Sequence, residues 1–219
     1  MTVPLSLDRP WLRLDLGGPH QVLSWALNRP GFVTASAISW REVRNADLTP
    51  ELDVLDWLTS QLAARGTPGD VCFLTSRDIR AVTEHTATAG TANARAVATV
   101  GLSNAERIGT RLDRSGKDWG TINVAVQTDL ALTQSALIEM MAIATQARTV
   151  AVMEVNHRLP TGIATGTGTD CVAVAALQGD APFAGMHTDL GEAVGRAVYT
   201  AVLDGAQEWM RTTRRPEVV

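Results

Sequence analysis

With two cysteines in 219 residues, the chain has no material for a disulfide framework. Cys72 and Cys171 stand far apart and never in the close pairs that a cysteine zinc site uses. Each lies in an apolar run, which predicts a reduced, buried thiol. Basic excess is also missing. Lys and Arg number 19 against 23 Asp and Glu, for a net charge of −4. Contact with many nucleic-acid phosphates calls for the opposite balance, so a nucleic-acid partner is disfavoured.

No window of about 20 residues is free of charge, so no membrane span is expected. The longest apolar stretch, residues 135–155, is interrupted by Glu139, Gln146, Arg148 and Glu154 and reads as a buried helix. Residues 1–15 lack a basic segment followed by an apolar one, and a cytoplasmic location is expected. No repeat of 20–50 residues is visible, which excludes a solenoid. No Walker loop, no Gly-x-Ser-x-Gly elbow, no His-Glu-x-x-His and no Cys-x-x-Cys occurs. No motif therefore requires a metal or another cofactor.

What remains is one globular domain's worth of chain, 45% apolar, over residues 1–219. Residues 11–16, 21–27 and 32–40 have strand-like patterns. Gly17, Gly18 and Pro19 mark one turn, and Asn28 to Gly31 the next. Thr49, Pro50 and Glu51 open a helix with Leu52, Leu55, Leu58 and Leu62 at helical spacing, ended by Gly66. Strands are expected at 71–74, 94–101, 120–128 and 170–177, with a turn at Ser115 and Gly116. Helices are expected at 135–155 and 190–211, followed by a frayed tail at 212–219. This order is not strict β-α alternation. It predicts an α+β domain with mixed sheet and about three main helices, with a layered sandwich also open.

The segment Thr165, Gly166, Thr167, Gly168, Thr169, Asp170 is the most unusual. Its glycines let backbone approach a ligand, its threonines exchange hydrogen bonds, and Asp170 can orient a hydroxyl, take a proton or bind a metal. The alternative is a turn whose amides Asp170 satisfies. His187 precedes the last helix, where acid–base work and simple helix entry are both open. Glu84 and His85 lie in a polar, loop-like stretch, and His20 follows a turn and is expected at the surface. Glu154 and His157 read as a solvated helix end. Asn28, Asn104 and Asn123 either brace loops or bind a substrate's amides. Glu139, in an apolar helix, is a paired carboxylate or a site with a raised pKa.

Several of these segments together resemble the adenosylcobinamide amidohydrolase family of corrinoid salvage. The similar blocks are Leu23 and Ser24 through Asn28; residues 101–109; residues 120–124; residues 136–139 with Ala144 and Thr145; residues 164–170; and residues 185–192. The resemblance implies an enzyme that cleaves the amide between the corrin propionate arm and 1-amino-2-propanol. The products are adenosylcobyric acid and the amine, so the corrinoid is substrate rather than cofactor. The chain departs from the family pattern at residues 144–148, where Gln146 and Arg148 stand in a stretch that usually carries a Glu and a Lys.

For such an amide hydrolysis, which needs an activated nucleophile and an acid for the leaving amine, Asp170 and His187 are expected to handle protons, on a water or on the hydroxyl of Thr167 or Thr169. Gly166, Gly168, Asn28, Asn104, Asn123, Glu139 and Glu192 are the expected substrate contacts. Asp170, His187 and Glu192 as metal ligands are the competing arrangement. A corrinoid binder without hydrolysis, and an amidase for another corrinoid such as pseudocobalamin, stay open, as does a homo-oligomer.

Overall fold

A computed structural model describes residues 5–49, 51–113 and 119–214. The turn expected at Ser115 and Gly116, Pro50, and most of the tail at 212–219 lie outside the described residues. In chain order the strands are β1 (Leu5–Asp8), β2 (Trp11–Ser24), β3 (Gly31–Glu42), β4 (Val71–Thr75), β5 (Thr83–Ala89), β6 (Ala92–Val100), β7 (Ala105–Glu106), β8 (Ile122–Leu132), β9 (Arg158–Leu159), β10 (Gly162–Ile163), β11 (Gly166–Thr167) and β12 (Cys171–Gln178). The helices are α1 (Val54–Arg65), α2 (Gln134–Glu154) and α3 (Asp189–Thr212). The expected α+β domain with mixed sheet and three main helices is what forms.

The main sheet runs β4-β3-β2-β12-β8-β6-β5, with β1 paired to β2. Only β3 with β4 and β8 with β12 are parallel. Each of those pairs needs a long crossover, and α1 and α2 supply them. The sheet folds over itself. Leu12, Leu14, Ile38, Trp40, Val71 and Phe73 from β2, β3 and β4 share one buried cluster with Val97, Ala125, Ala173 and Ala175 from β6, β8 and β12. The opposite side of β6, β8 and β12 packs its Ala94, Ala96, Val124, Val126, Val172 and Val174 against α2 and α3. On the far side, Leu58 and Leu62 of α1 cover Trp11 and Cys72. Helix, sheet, sheet, helix is thus the order of layers, the sandwich left open above.

Several local expectations are corrected. Residues 11–24 form one strand, not two, because Gly17 and Gly18 absorb a register shift between Asp15 and His20 instead of turning the chain. His20 is buried, 8% exposed, beside Gln127. The first helix opens at Val54, where Asp53 accepts from the Leu55 and Asp56 amides; Thr49 is not its cap. Gly66 ends it in the left-handed conformation, as expected. The stretch holding Glu84 and His85 is edge strand β5, its alternate residues exposed. There Glu84 accepts from Arg95 at 2.7 Å, and His85 meets Asp204 of α3 at 2.7 Å. Alanine and threonine in place of larger side chains hid this strand, because α3 lies close against it.

Candidate functional site

A cleft of about 600 Å³ opens where the two halves of the sheet meet, at the start of β12. Its lip is apolar: Trp25, Leu27 and Trp119 are 46%, 47% and 55% exposed there. Its floor is neutral and polar, built from Thr121, Asn123 and Thr169, with Asp170 and Cys171 beside them. Phe73, Leu74 and Thr75 of β4 form the facing wall.

Hydrogen bonds fix this floor. The Thr169 hydroxyl donates to the Gly120 carbonyl at 2.9 Å and accepts from Asn104 Nδ2 at 3.3 Å. Thr121 Oγ1 donates to the Thr169 carbonyl at 2.8 Å. Asn123 Nδ2 crosses to the Leu74 carbonyl of β4 at 2.8 Å and ties the two halves of the sheet together. Trp25 Nε1 donates to the Asp170 carbonyl at 2.8 Å, which holds one indole of the lip in place. Residues 120 and 101–103 touch backbone to backbone. A Cβ at Gly120 would meet the Ser103 nitrogen at 2.6 Å.

The Asp170 side chain is buried, 7% exposed, and its two oxygens are taken. Oδ2 accepts from Arg148 Nη1 at 2.7 Å and from the Thr167 amide at 3.0 Å; Oδ1 accepts from the Ile122 amide at 3.1 Å and from the Thr167 hydroxyl. Burial pushes this carboxyl above its ordinary range, while Arg148 and the Thr167 and Ile122 donors pull the other way. Arg148, in the stretch that departs from the family pattern, thus supplies the counter-charge. Gln146 is exposed on α2.

The remaining predicted residues divide. Thr169, Gly168, Asn123 and Asp170 line the cleft. Thr167 and Gly166 stand just behind it in β11, which pairs with β7, and Asn104 reaches it through Thr169. Asn28 does not line it: its side chain bonds the Asp70 carbonyl and the Cys72 amide, bracing a turn against β4.

Asp170 and His187 are not brought together. They flank opposite ends of β12, whose eight residues span roughly 25 Å. The helix alongside repeats the separation: Arg148 sits beside Asp170, while Glu139 accepts from the Ala184 amide at 2.7 Å. Those two positions on α2 lie roughly 13 Å apart along the axis. His187 is exposed and makes no hydrogen bond with any described residue. Its neighbours have structural work: Thr188 caps α3 by accepting from the Gly191 amide, and Asp189 accepts from the Thr91 amide. Glu192 pairs with Arg196 one turn on. Among the described residues no cluster of three or more His, Cys, Asp or Glu side chains has the arrangement of a metal site, so the alternative ligand set Asp170, His187 and Glu192 does not assemble.

Sequence reasoning gave no role to Trp25, Leu27, Trp119 or Arg44: Trp25 and Leu27 lie in the first similar block, and Trp119 and Arg44 join them only when the sheet folds over. The two thiols are free and buried. Burial drives both upward, Cys171 to about 12 and Cys72 still further, so neither ionises near neutrality. Iodoacetamide at neutral pH is expected to leave both unlabelled in the native protein and to label both after denaturation. Prompt native labelling, read by mass spectrometry, would contradict the buried thiols.

The geometry gathers four sequence blocks at one place: Trp25 from the first, Asn104 from the second, Gly120 to Asn123 from the third, and Thr167 to Asp170 from the fifth. The model of the adenosylcobinamide amidohydrolase family matches residues 4–214. The chain belongs to that family. An 89-residue segment is 36% identical to the uncharacterised protein MJ1613 of Methanocaldococcus jannaschii. That match covers 39% of this chain and 35% of the relative. Among solved structures, the PH0078 protein of Pyrococcus horikoshii OT3 aligns over 89% of this chain and 76% of that one, at 10% identity and a TM-score of 0.47. Membership places the chain in a family of amidohydrolases whose substrate is a corrinoid.

Proposed function

We propose that this adenosylcobinamide amidohydrolase family member hydrolyses the amide between the corrin propionate arm and 1-amino-2-propanol, and that the reaction takes place in the cleft at the start of β12. The observation that carries this reading is the match of chemistry to shape. A flat, largely apolar macrocycle edged with neutral amides suits an aromatic lip over a neutral polar floor. The cleft is too small for the whole corrinoid, so an edge and one arm enter while the ring rests on Trp25 and Trp119.

Hydrolysis adds water to the amide carbon, breaks the C–N bond and releases a carboxylate and a protonated amine. The floor offers Thr121, Asn123 and Thr169 to hold the amide. Asp170 is the one carboxylate lining the cleft among the described residues, and it moves a proton only if Thr167 or Arg148 releases one of its oxygens. That full occupancy is also the observation favouring a second reading, a corrinoid binder without turnover.

Incubation of the purified protein with adenosylcobinamide, with and without EDTA, followed by mass spectrometry of the corrinoid, separates these. Loss of the aminopropanol arm with gain of a free carboxylate is expected, and the EDTA arm reports metal dependence. Unchanged corrinoid in both arms, from folded protein that still binds it, would replace hydrolysis with binding.

A further inference from the structure

The cleft holds one basic side chain among the described residues, Arg44, in the segment after β3. Its guanidinium makes no ion pair with a described residue. Of the two acidic groups nearest in sequence, Glu42 pairs with Arg9, and Asp47 spends its carboxylate on the Arg44 backbone amide at 2.8 Å rather than on the guanidinium. The one acid that lines the cleft among the described residues, Asp170, is committed to Arg148. An unpaired cation therefore borders a site whose floor is neutral.

The proposed reaction changes charge at that place. The substrate arm is a neutral amide; the product arm is a carboxylate, with the leaving amine protonated in solution. A cation at the rim does little for the first and attracts the second. Resting on the reading of the cleft given above, we propose that Arg44 makes this site bind the corrinoid acid more tightly than the corrinoid amide, so that the enzyme is restrained by its own product. Turnover then depends on a following reaction that consumes a free carboxylate, as an amide-forming ligation does.

The test compares affinities for adenosylcobyric acid and adenosylcobinamide, read by quenching of tryptophan fluorescence, in wild type, Arg44→Gln and Arg44→Lys. In the wild type the acid is expected to bind roughly five- to tenfold more tightly at low salt, with the ratio shrinking at high salt. Arg44→Gln brings the ratio to within about twofold, chiefly by weakening the acid, and Arg44→Lys restores most of it. An acid-to-amide ratio equal to wild type in folded Arg44→Gln would overturn the proposal while leaving the hydrolysis reading intact. Absence of binding by either corrinoid would overturn the reading of the cleft, and the proposal with it.

Discussion

Replacing Arg148 with methionine is expected to lower the unfolding free energy by about 3–5 kcal/mol at neutral pH, because it leaves a buried carboxylate without its counter-charge. For a chain of this length that corresponds to roughly 6–20 °C in Tm. Burial already holds Asp170 above the ordinary carboxylate range, and Arg148 is the largest influence pulling it back. Without Arg148 the folded-state pKa rises further.

The sign of the pH dependence follows. A carboxyl whose folded pKa exceeds its unfolded one gives stability that is present below the unfolded value and lost as pH rises through the folded value. The Arg148→Met deficit should therefore grow from about pH 4 upward and be smallest in acid. Adding Asp170→Asn to Arg148→Met removes the stranded charge and should recover part of the loss at neutral pH. Urea denaturation at about pH 7 and about pH 5 reads all of this. A deficit that is equal at both pH values, or a double variant weaker than Arg148→Met alone, would mean that the pair does not hold the wall of the cleft.

The same residues show what the sequence makes legible. Asp170 stands out because glycine and threonine alternate before it, a local pattern. Its partner is not legible, since Arg148 meets it only after α2 runs back along β12. Asn123 is conspicuous as an amide in an apolar strand, but its acceptor lies on β4, which is no neighbour of β8 in the sheet order. The long helix, Gly66 and the mixed sheet follow from periodicity and capping, which are short-range. The fold-over of the sheet is long-range, and the cleft depends on it. His187 shows the converse: a residue type suited to proton transfer drew attention, yet the length of β12 holds it far from Asp170.

Three substitutions, two beside the start of β12 and one beyond its other end, decide which end carries the chemistry. Alanine at Gly120 drives a methyl group into the Ser103 nitrogen at 2.6 Å and the Gly101 carbonyl at 2.8 Å, so two backbone segments of the cleft must move apart. Displacement of about 1 Å in a positioned site costs on the order of a hundredfold in rate, and that loss in kcat/KM is expected for Gly120→Ala. Thr169→Val, which keeps the shape and removes one hydroxyl from the floor, guards against a folding defect and should lose about tenfold or more. His187→Ala alters an exposed side chain with no described hydrogen bond and is expected to stay within about twofold of wild type. Abolished turnover in folded His187→Ala, alongside near-normal Thr169→Val, would move the reacting centre to the loop before α3. It would make the cleft a binding surface for the ring rather than the place where the amide is cut.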